Sequence, residues 1–399
     1  MKVKNKVELL APAGDLNRGK IAFDFGADAI YFGGQAYSLR ARASNFTLEN
    51  IHEISEYAHY RNRKIYLVIN VLNQNGMLGG FEEYFKKALE AKPDAFIVSD
   101  PYIIKKVKEI YPEAQIHIST QQSISNYKAS LFFARNGCSR IILSREVNFN
   151  ELKGLIEGVD GKIEIETFIH GAVCIAYSGR CMLSSNFCLR DANIGGCAQC
   201  CRWEMKLSDE SGKVYSNNFT MSAKDMCLAT KIDELINVGV SSFKIEGRMK
   251  NEHYIATVVN DYRNLIENHY SGNKDNTQYL EDIANVANRE TDLAWYDGQP
   301  GIDKMLYHEI PKQVKQNYAF IVTKKINNNT YEVITKNKIQ TTDNFQILSP
   351  LHSNILNINI SKMFVDGVET NVVSAPASTI IVEFAKDIEL QKNDIGRII

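Results

Sequence analysis

Short apolar or alternating runs recur along the first two thirds of the chain, with amphipathic stretches between them. Strand-like runs fall at 7–11, 29–32, 64–70, 95–100, 115–120, 140–145, 162–170 and 242–248. Helical patterns fall at 17–25, 48–60, 81–91, 102–110, 123–136, 150–157, 228–237 and 251–268. Eight strand–helix units in about 260 residues match a TIM-type (β/α)8 barrel in number and length, with an open doubly wound sheet as the second choice. From residue 316 the pattern changes to short strand-like runs at 318–322, 330–334, 343–348, 358–361, 368–373 and 380–384, which predicts a small all-β barrel. The expected organisation is a barrel at 1–270 with a Cys-rich insertion at 171–227, a polar linker with some helix at 271–315, and a C-terminal β-barrel domain at 316–399.

Strand parity predicts an unusual barrel interior. In 162–170, Ile163, Ile165, Thr167 and Ile169 share one face, and Glu164, Glu166, Phe168 and His170 the other. In 242–248, Phe243 and Ile245 oppose Lys244, Glu246 and Arg248; in 115–121, Ile116 and Ile118 oppose His117, Ser119 and Gln121. The apolar faces are expected against the helical shell, so the polar faces point inward, where bulky aliphatics usually sit. Buried polar groups are costly unless paired or used. The interior is therefore either an ion-pair network, for instance Lys244 with Glu246 or Glu164, or part of an active site at the C-terminal strand ends.

Composition narrows the class. A hydrophobic content of 44%, a charged content of 23% and a formal net charge of −1 are those of an ordinary globular protein, so any basic footprint for a nucleic acid must be local. No apolar run reaches the length of a membrane span, and the start lacks a signal-peptide pattern, so a cytoplasmic location is expected. Arg40 and Arg42, beside Tyr37 and Phe46, form a basic–aromatic patch after the second strand. With Arg145, Arg180, Arg190, Arg202, Arg248 and Lys250 they form either a positive mouth suited to phosphate or carboxylate, or a set of solvated loop arginines. Gly14-Asp-Leu-Asn-Arg-Gly19-Lys20 has the spacing of a phosphate-binding loop, but Ile21 stands where the Mg²⁺-binding hydroxyl belongs. No HExxH or GxSxG occurs, so no metalloprotease helix or nucleophile elbow is claimed.

The strongest chemical signal is thiol. Six of the eight cysteines fall within 28 residues: Cys174, Cys181, Cys188, Cys197, Cys200 and Cys201. In a reducing compartment such a cluster reads as metal or iron–sulfur ligands. Zinc ribbons prefer two CxxC pairs and only one is present, Cys197-Ala-Gln-Cys200. Cys188 and Cys200 are the expected spares and Cys138 a core residue; Cys227 is either a ligand or a packed thiol.

Glu8-Leu-Leu-Ala-Pro-Ala-Gly14, Gly26-Ala-Asp-Ala-Ile-Tyr-Phe-Gly-Gly34 and His170-Gly-Ala-Val-Cys-Ile-Ala-Tyr-Ser-Gly-Arg-Cys-Met-Leu-Ser184 resemble the collagenase-like peptidase family, peptidase family U32. Arg190-Asp-Ala-Asn, Gly196-Cys-Ala-Gln, Cys201-Arg-Trp203, Ser222-Ala-Lys-Asp225 and Phe243-Lys-Ile-Glu-Gly-Arg-Met-Lys250 continue the likeness. The resemblance implies more than its name. Its branch with a barrel and a C-terminal β-domain is similar to iron–sulfur proteins that make 5-hydroxyuridine at the tRNA wobble position, with prephenate as oxygen source. Other branches hydroxylate a ribosomal RNA cytidine or a quinone precursor, and some members are collagen-degrading peptidases. By position, a 4Fe–4S cluster is expected on Cys174, Cys181, Cys197 and Cys201, with Cys227 or Cys200 as alternative fourth ligands. Expected proton-transfer groups are His117, Glu166 and His170. Arg145, Arg180 or Arg248 are expected to clamp the dicarboxylate, with Lys244 and Glu246 on the substrate-binding wall. Arg40 and Arg42, with the β-domain, are expected to hold the anticodon arm, and a partner protein or second copy is allowed for.

Overall fold

The computed structural model describes residues 6–39, 45–307, 316–351 and 355–399. Seven parallel strands follow one another in order: β1 (Glu8–Pro12), β2 (Ala29–Gly33), β3 (Lys64–Ile69), β4 (Ala95–Val98), β5 (Ile116–Ile118), β6 (Arg140–Ile142) and β7 (Glu164–Gly171). A hairpin of β8 (Met205–Ser208) and β9 (Val214–Phe219) and a short strand β10 (Asp225–Cys227) intervene. Then β11 (Ser242–Ile245) pairs in parallel with both β7 and β1 and closes the ring. The eight expected strands are present and the sheet is a closed barrel, not an open one.

Helices α1 (Leu16–Asp24), α2 (Leu48–Tyr60), α3 (Phe81–Leu89), α4 (Pro101–Ile110), α5 (Tyr127–Arg135) and α6 (Phe149–Val159) follow β1 to β6 in turn. A short α7 (Leu183–Cys188) lies in the insertion; α8 (Ile232–Val238) precedes β11, and α9 (Glu252–Ser271) and α10 (Thr277–Val286) follow it. Asp15, Thr47, Asp100, Asn126, Asn148 and Asn251 accept backbone N–H groups at the N-termini of α1, α2, α4, α5, α6 and α9, satisfying donors that have no partner inside the helix. Among the described residues no helix is long and apolar enough to cross a membrane.

The barrel interior is charged, as parity predicts, and the charges are paired. Arg140 reaches Glu8 at 2.6 Å, Glu164 at 2.7 Å and Glu166 at 3.1 Å. Tyr66 and Ser242 donate to Glu8, and Lys244 Nζ lies 2.9 Å from Glu166. The partner of Lys244 is thus Glu166, not the expected Glu246 or Glu164. Glu164 lies at the partly exposed lower end of β7, and Glu246 belongs to the mouth above. His170 departs from the parity rule. The β7–β11 register shifts between Lys244 and Ile245, so that Lys244 pairs with Phe168 and Ile245 with His170. Such a bulge re-aims the following side chain. His170 Nδ1 lies 3.3 Å from the Tyr262 hydroxyl, against α9.

Residues 271–307, expected as a linker, are folded against the barrel. After α10, a short strand β12 (Thr291–Asp292) pairs with β10, and Met305 bridges to Ala223. Beyond residue 316 an eight-stranded antiparallel sheet has its own core around Phe320, Tyr331, Phe345, Met363 and Phe384. Its last strand, Ile395–Ile398, was not anticipated, because Gly396 and Arg397 break the apolar run. Arg397 is fully buried and crosses to the barrel, where it pairs with Asp282 of α10 at 2.9 Å and donates to Gln316 at 3.0 Å. Tyr318, Ile321, Leu348 and Ile395 join the barrel's core cluster.

Replacing Arg140 with Ala leaves Glu8 buried without a cation and Glu166 with Lys244 alone. The expected cost is about 3–5 kcal/mol of unfolding free energy, read from the urea midpoint. Burial alone would raise the Glu8 carboxyl, but the Arg140 charge overrides it and holds the group below the usual range. Glu8 therefore stabilises the fold above the pKa of an unfolded glutamate, about 4.3, and that contribution fades as pH falls through the lower folded value. A Glu8→Gln variant should lose less Tm than the wild type when pH is lowered from about 5 to about 3.

Candidate thiol-lined active site

β7 ends in Gly171, whose φ of +109° turns the chain over the barrel mouth where a side chain would collide with the Glu246 carbonyl. The insertion that follows covers the C-terminal ends of the strands. A cavity of about 240 Å³ lies beneath it. Its floor is Tyr31, Val68, Ile97, Ile142, Phe168 and Lys244 from the strands; its roof includes Cys174, Cys181, Cys197 and Cys201. Cys188, Cys200 and Cys227 do not line it. All eight cysteines are free thiols.

Arg202 sets the roof. Its Nη2 donates to the Val173 carbonyl at 2.9 Å, and its Nη1 to Ser222 Oγ at 2.5 Å and the Ala223 carbonyl at 2.9 Å. Because Arg202 follows Cys201 and Val173 precedes Cys174, one guanidinium ties two thiol-bearing segments together. Asn193 donates to the Cys181 carbonyl at 2.9 Å, and Ser184 Oγ accepts from Ala198 N at 3.0 Å, joining the Cys181 and Cys197 segments. The thiols sense one another. Burial first, and then the charges of Cys174 and Cys197, raise Cys181, while the amides of Leu183 and Ser184 pull it down. Burial likewise raises Cys201, with Arg202 opposing and Cys174, Cys197 and Cys181 adding to the rise. Among the described residues no group of three or more His, Cys, Asp or Glu side chains is arranged to hold a metal ion as it stands. The four thiols line the same cavity.

The other cysteines stand apart. Cys188 Sγ and Cys200 Sγ are 3.3 Å apart, behind the roof. Cys227 pairs with His170 across the β10–β7 ladder, and its Sγ lies 3.7 Å from the Tyr262 hydroxyl. Burial raises its pKa, and none of the four roof thiols contributes to the shift. Cys138 is a core residue pushed up to about 12 by burial.

Around the cavity the charges are mostly positive. Arg145 stacks on Phe168 at 3.9 Å and lies 3.5 Å from Glu246. Arg248 donates to Ser38 and Asn45. Arg289 also lines the wall and pairs with Asp225 at 3.0 Å. Lys244 sits over the Tyr31 ring at 4.0 Å; burial lowers its pKa, outweighing the opposite pull of Glu166. Glu166, Lys244, Glu246, Arg145 and Arg248 are thus gathered at or just under one cavity. His117, His170 and Arg180 are not on its wall. His117 is buried beside Tyr66, and burial holds it well below the ordinary histidine pKa, with Arg140 and Lys244 adding to the fall. Burial lowers His170 to about 4. Arg180 is exposed and donates to Ser123 Oγ at 3.2 Å. Arg40 and Arg42 lie outside the described residues. Arg202 stands in the Cys201-Arg-Trp203 motif, which did not announce its clamping role, and Glu146, which holds the roof by accepting from Ser178 N at 2.9 Å, carried no sequence signal beyond its charge.

A model of peptidase family U32 matches residues 14–306. The chain is 43% identical over 331 residues to tRNA hydroxylation protein P1 of Bacillus subtilis, covering 80% of this chain and 78% of that protein. It is 32% identical over 394 residues to tRNA hydroxylation protein P of Escherichia coli, covering 86% of each. It is also 33% identical over 311 residues to a protein of Porphyromonas gingivalis named collagenase, covering 74% of each.

Alkylation of metal-free protein with iodoacetamide should follow access. Cys174 and Cys197, which are exposed, should label first, and Cys138 and Cys200, which are buried, last, as read by peptide mass spectrometry. Rapid labelling of Cys200 would contradict its placement against Ser184 and Cys188.

Proposed function

The chain belongs to peptidase family U32, and within that family we propose that it is an iron–sulfur-dependent RNA hydroxylase that forms 5-hydroxyuridine at the wobble position of tRNA. The observation that carries the reading is the roof of four free thiols, Cys174, Cys181, Cys197 and Cys201, over a cation-rich cavity at the barrel mouth. The barrel mouth is where this architecture places chemistry. Two similar proteins that cover most of the chain are named for tRNA hydroxylation, which supports the same reading.

The donor set suits an iron–sulfur centre. In a cluster each cysteine binds a different iron, whereas in a zinc site four sulfurs meet one ion. Four thiols lining one cavity match the ligand number of such a cluster, and only one CxxC pair is present where a zinc ribbon uses two. Cys174, Cys181, Cys197 and Cys201 would hold a 4Fe–4S cluster, whose chemistry is electron transfer and Lewis-acid binding of an oxygen-bearing donor. Cys227 faces α9 and Cys200 faces Cys188, so neither is needed as a fourth ligand.

The remaining chemistry falls to the protein. Arg145 and Arg248 present guanidinium forks suited to the carboxylates of a small dicarboxylate donor such as prephenate. Lys244 Nζ, at the floor and bonded to Glu166, has its pKa lowered by burial and is the side chain best placed to hold or release a proton there. The apolar floor of Val68, Ile97 and Ile142 excludes water from beneath the donor. The target base must leave the anticodon loop to reach this mouth.

Nucleoside mass spectrometry of tRNA from a deletion strain should show loss of 5-hydroxyuridine and its derivatives. Expression of the wild type should restore it, and a Cys197→Ser variant should not. Unchanged tRNA, together with gelatin cleavage by the purified protein, would overturn the reading in favour of a peptidase. Loss of a hydroxycytidine from ribosomal RNA instead would move the substrate.

A further inference from the structure

Residues 173–177 form a partition with a cavity on each side. One is the thiol-lined cavity. The other, of about 280 Å³, is completed among the described residues by the 292–305 stretch, by Ala223 and Lys224, and by Glu146. This second cavity has a different chemistry. Tyr177 from the partition and Trp295 from the opposite stretch give it two aromatic rings, and Ile175 and Met305 add apolar surface. Its two lysines are already paired: Lys224 with Glu290 at 2.9 Å, and Lys304 with Asp292 at 3.1 Å and Asp297 at 2.5 Å. An anionic ligand therefore finds no uncommitted cation here.

Glu146 lines this cavity, and one of its carboxylate oxygens is unsatisfied. Glu146 Oε1 accepts from the backbone N–H of Ser178 at 2.9 Å and from its hydroxyl at 3.2 Å. Glu146 Oε2 is buried and has no hydrogen-bond partner among the described residues. A buried carboxylate oxygen left without a donor costs stability, so its presence calls for a ligand that brings one. A flat apolar body with an N–H edge meets both demands: the rings take its face and Glu146 takes its edge. Nucleobases have this form, and single-stranded RNA is read by stacking such bases on aromatic side chains while their edges are hydrogen-bonded.

We propose that this cavity receives an unstacked nucleobase of the substrate RNA, its ring against Trp295 and a ring N–H or exocyclic amine donating to the Glu146 carboxylate. The partition separates this base from the thiol cavity, so it is a neighbour of the base that reacts. The inference rests on the RNA reading above and adds a specificity pocket to it.

The test measures fluorescence-anisotropy binding of the full-length protein to an anticodon stem-loop and to stem-loops made abasic at one loop position each. Wild type, Glu146→Gln and Trp295→Phe are compared. Glu146→Gln keeps an oxygen for Ser178 but turns an amide NH₂ toward the base. It should weaken binding of the intact stem-loop about tenfold or more. At one loop position away from the modified uridine, removing the base should weaken wild-type binding by a similar factor and have no further effect on Glu146→Gln. Trp295→Phe, which keeps a ring, should lose less, and it provides an independent arm if Glu146→Gln does not fold: its loss should vanish with the same abasic stem-loop. Wild-type affinity in both variants, or losses that simply multiply at every loop position, would overturn the pocket while leaving RNA binding intact. A wild type that binds no stem-loop would overturn the pocket together with the RNA reading.

Discussion

The site depends on one guanidinium. Arg202 is partly buried, follows a thiol-bearing turn, and gives its hydrogen bonds to the chain just before Cys174 and to the strand approach at Ser222 and Ala223. Those bonds fix Cys201 over the same cavity as Cys174 across an insertion that has little regular structure of its own. Burial lowers the Arg202 pKa, with Arg289 contributing, but a guanidinium remains charged across any biological pH, so the clamp does not open with acidity. Its acceptors are mostly main-chain carbonyls, which a fork can grip and an ammonium cannot match.

Beneath the roof, the barrel has traded aliphatic filling for charge. Arg140 answers three carboxylates, and Lys244 takes the remaining oxygen of Glu166. Buried ion pairs of this kind add little net stability compared with a packed apolar core, because desolvation offsets the attraction. Their value here is local. The network at the lower end fixes Glu166, Glu166 holds Lys244, and Lys244 lies at the floor of the cavity over Tyr31. The cations of the mouth are then arranged in two ways. Arg145 and Arg248 are oriented by Glu246, Phe168, Ser38 and Asn45, while Arg202 is committed to the backbone.

How much of this was legible in the sequence follows from how local each signal is. The eight barrel strands were readable because each keeps an apolar face against the helices, and the charged interior was readable from the same alternation in Glu166, Lys244 and His117. His170 was misplaced because a bulge one residue earlier reversed its side, and no residue type announces that shift. The β8–β9 hairpin was missed because it is largely exposed and so carries no buried face. The last strand was missed because Arg397 points into a buried contact made by another domain. The cysteine cluster was plain as a count. Its division into four roof thiols, a Cys188–Cys200 pair and an isolated Cys227 depends on contacts made by Arg202, Asn193 and Tyr262, which are distant in sequence or unremarkable in type.

Cys174, Cys181, Cys197 and Cys201 are proposed together to hold an iron–sulfur cluster at the barrel mouth. Iron and sulfide analysis with Mössbauer spectroscopy, on protein purified without air, tests it most directly. About four irons and four sulfides per chain are expected, lost on changing any of these four cysteines to Ser and retained in Cys188→Ser, Cys200→Ser and Cys227→Ser. Protein that carries zinc or no metal, or that loses its iron only when Cys227 is changed, would contradict it.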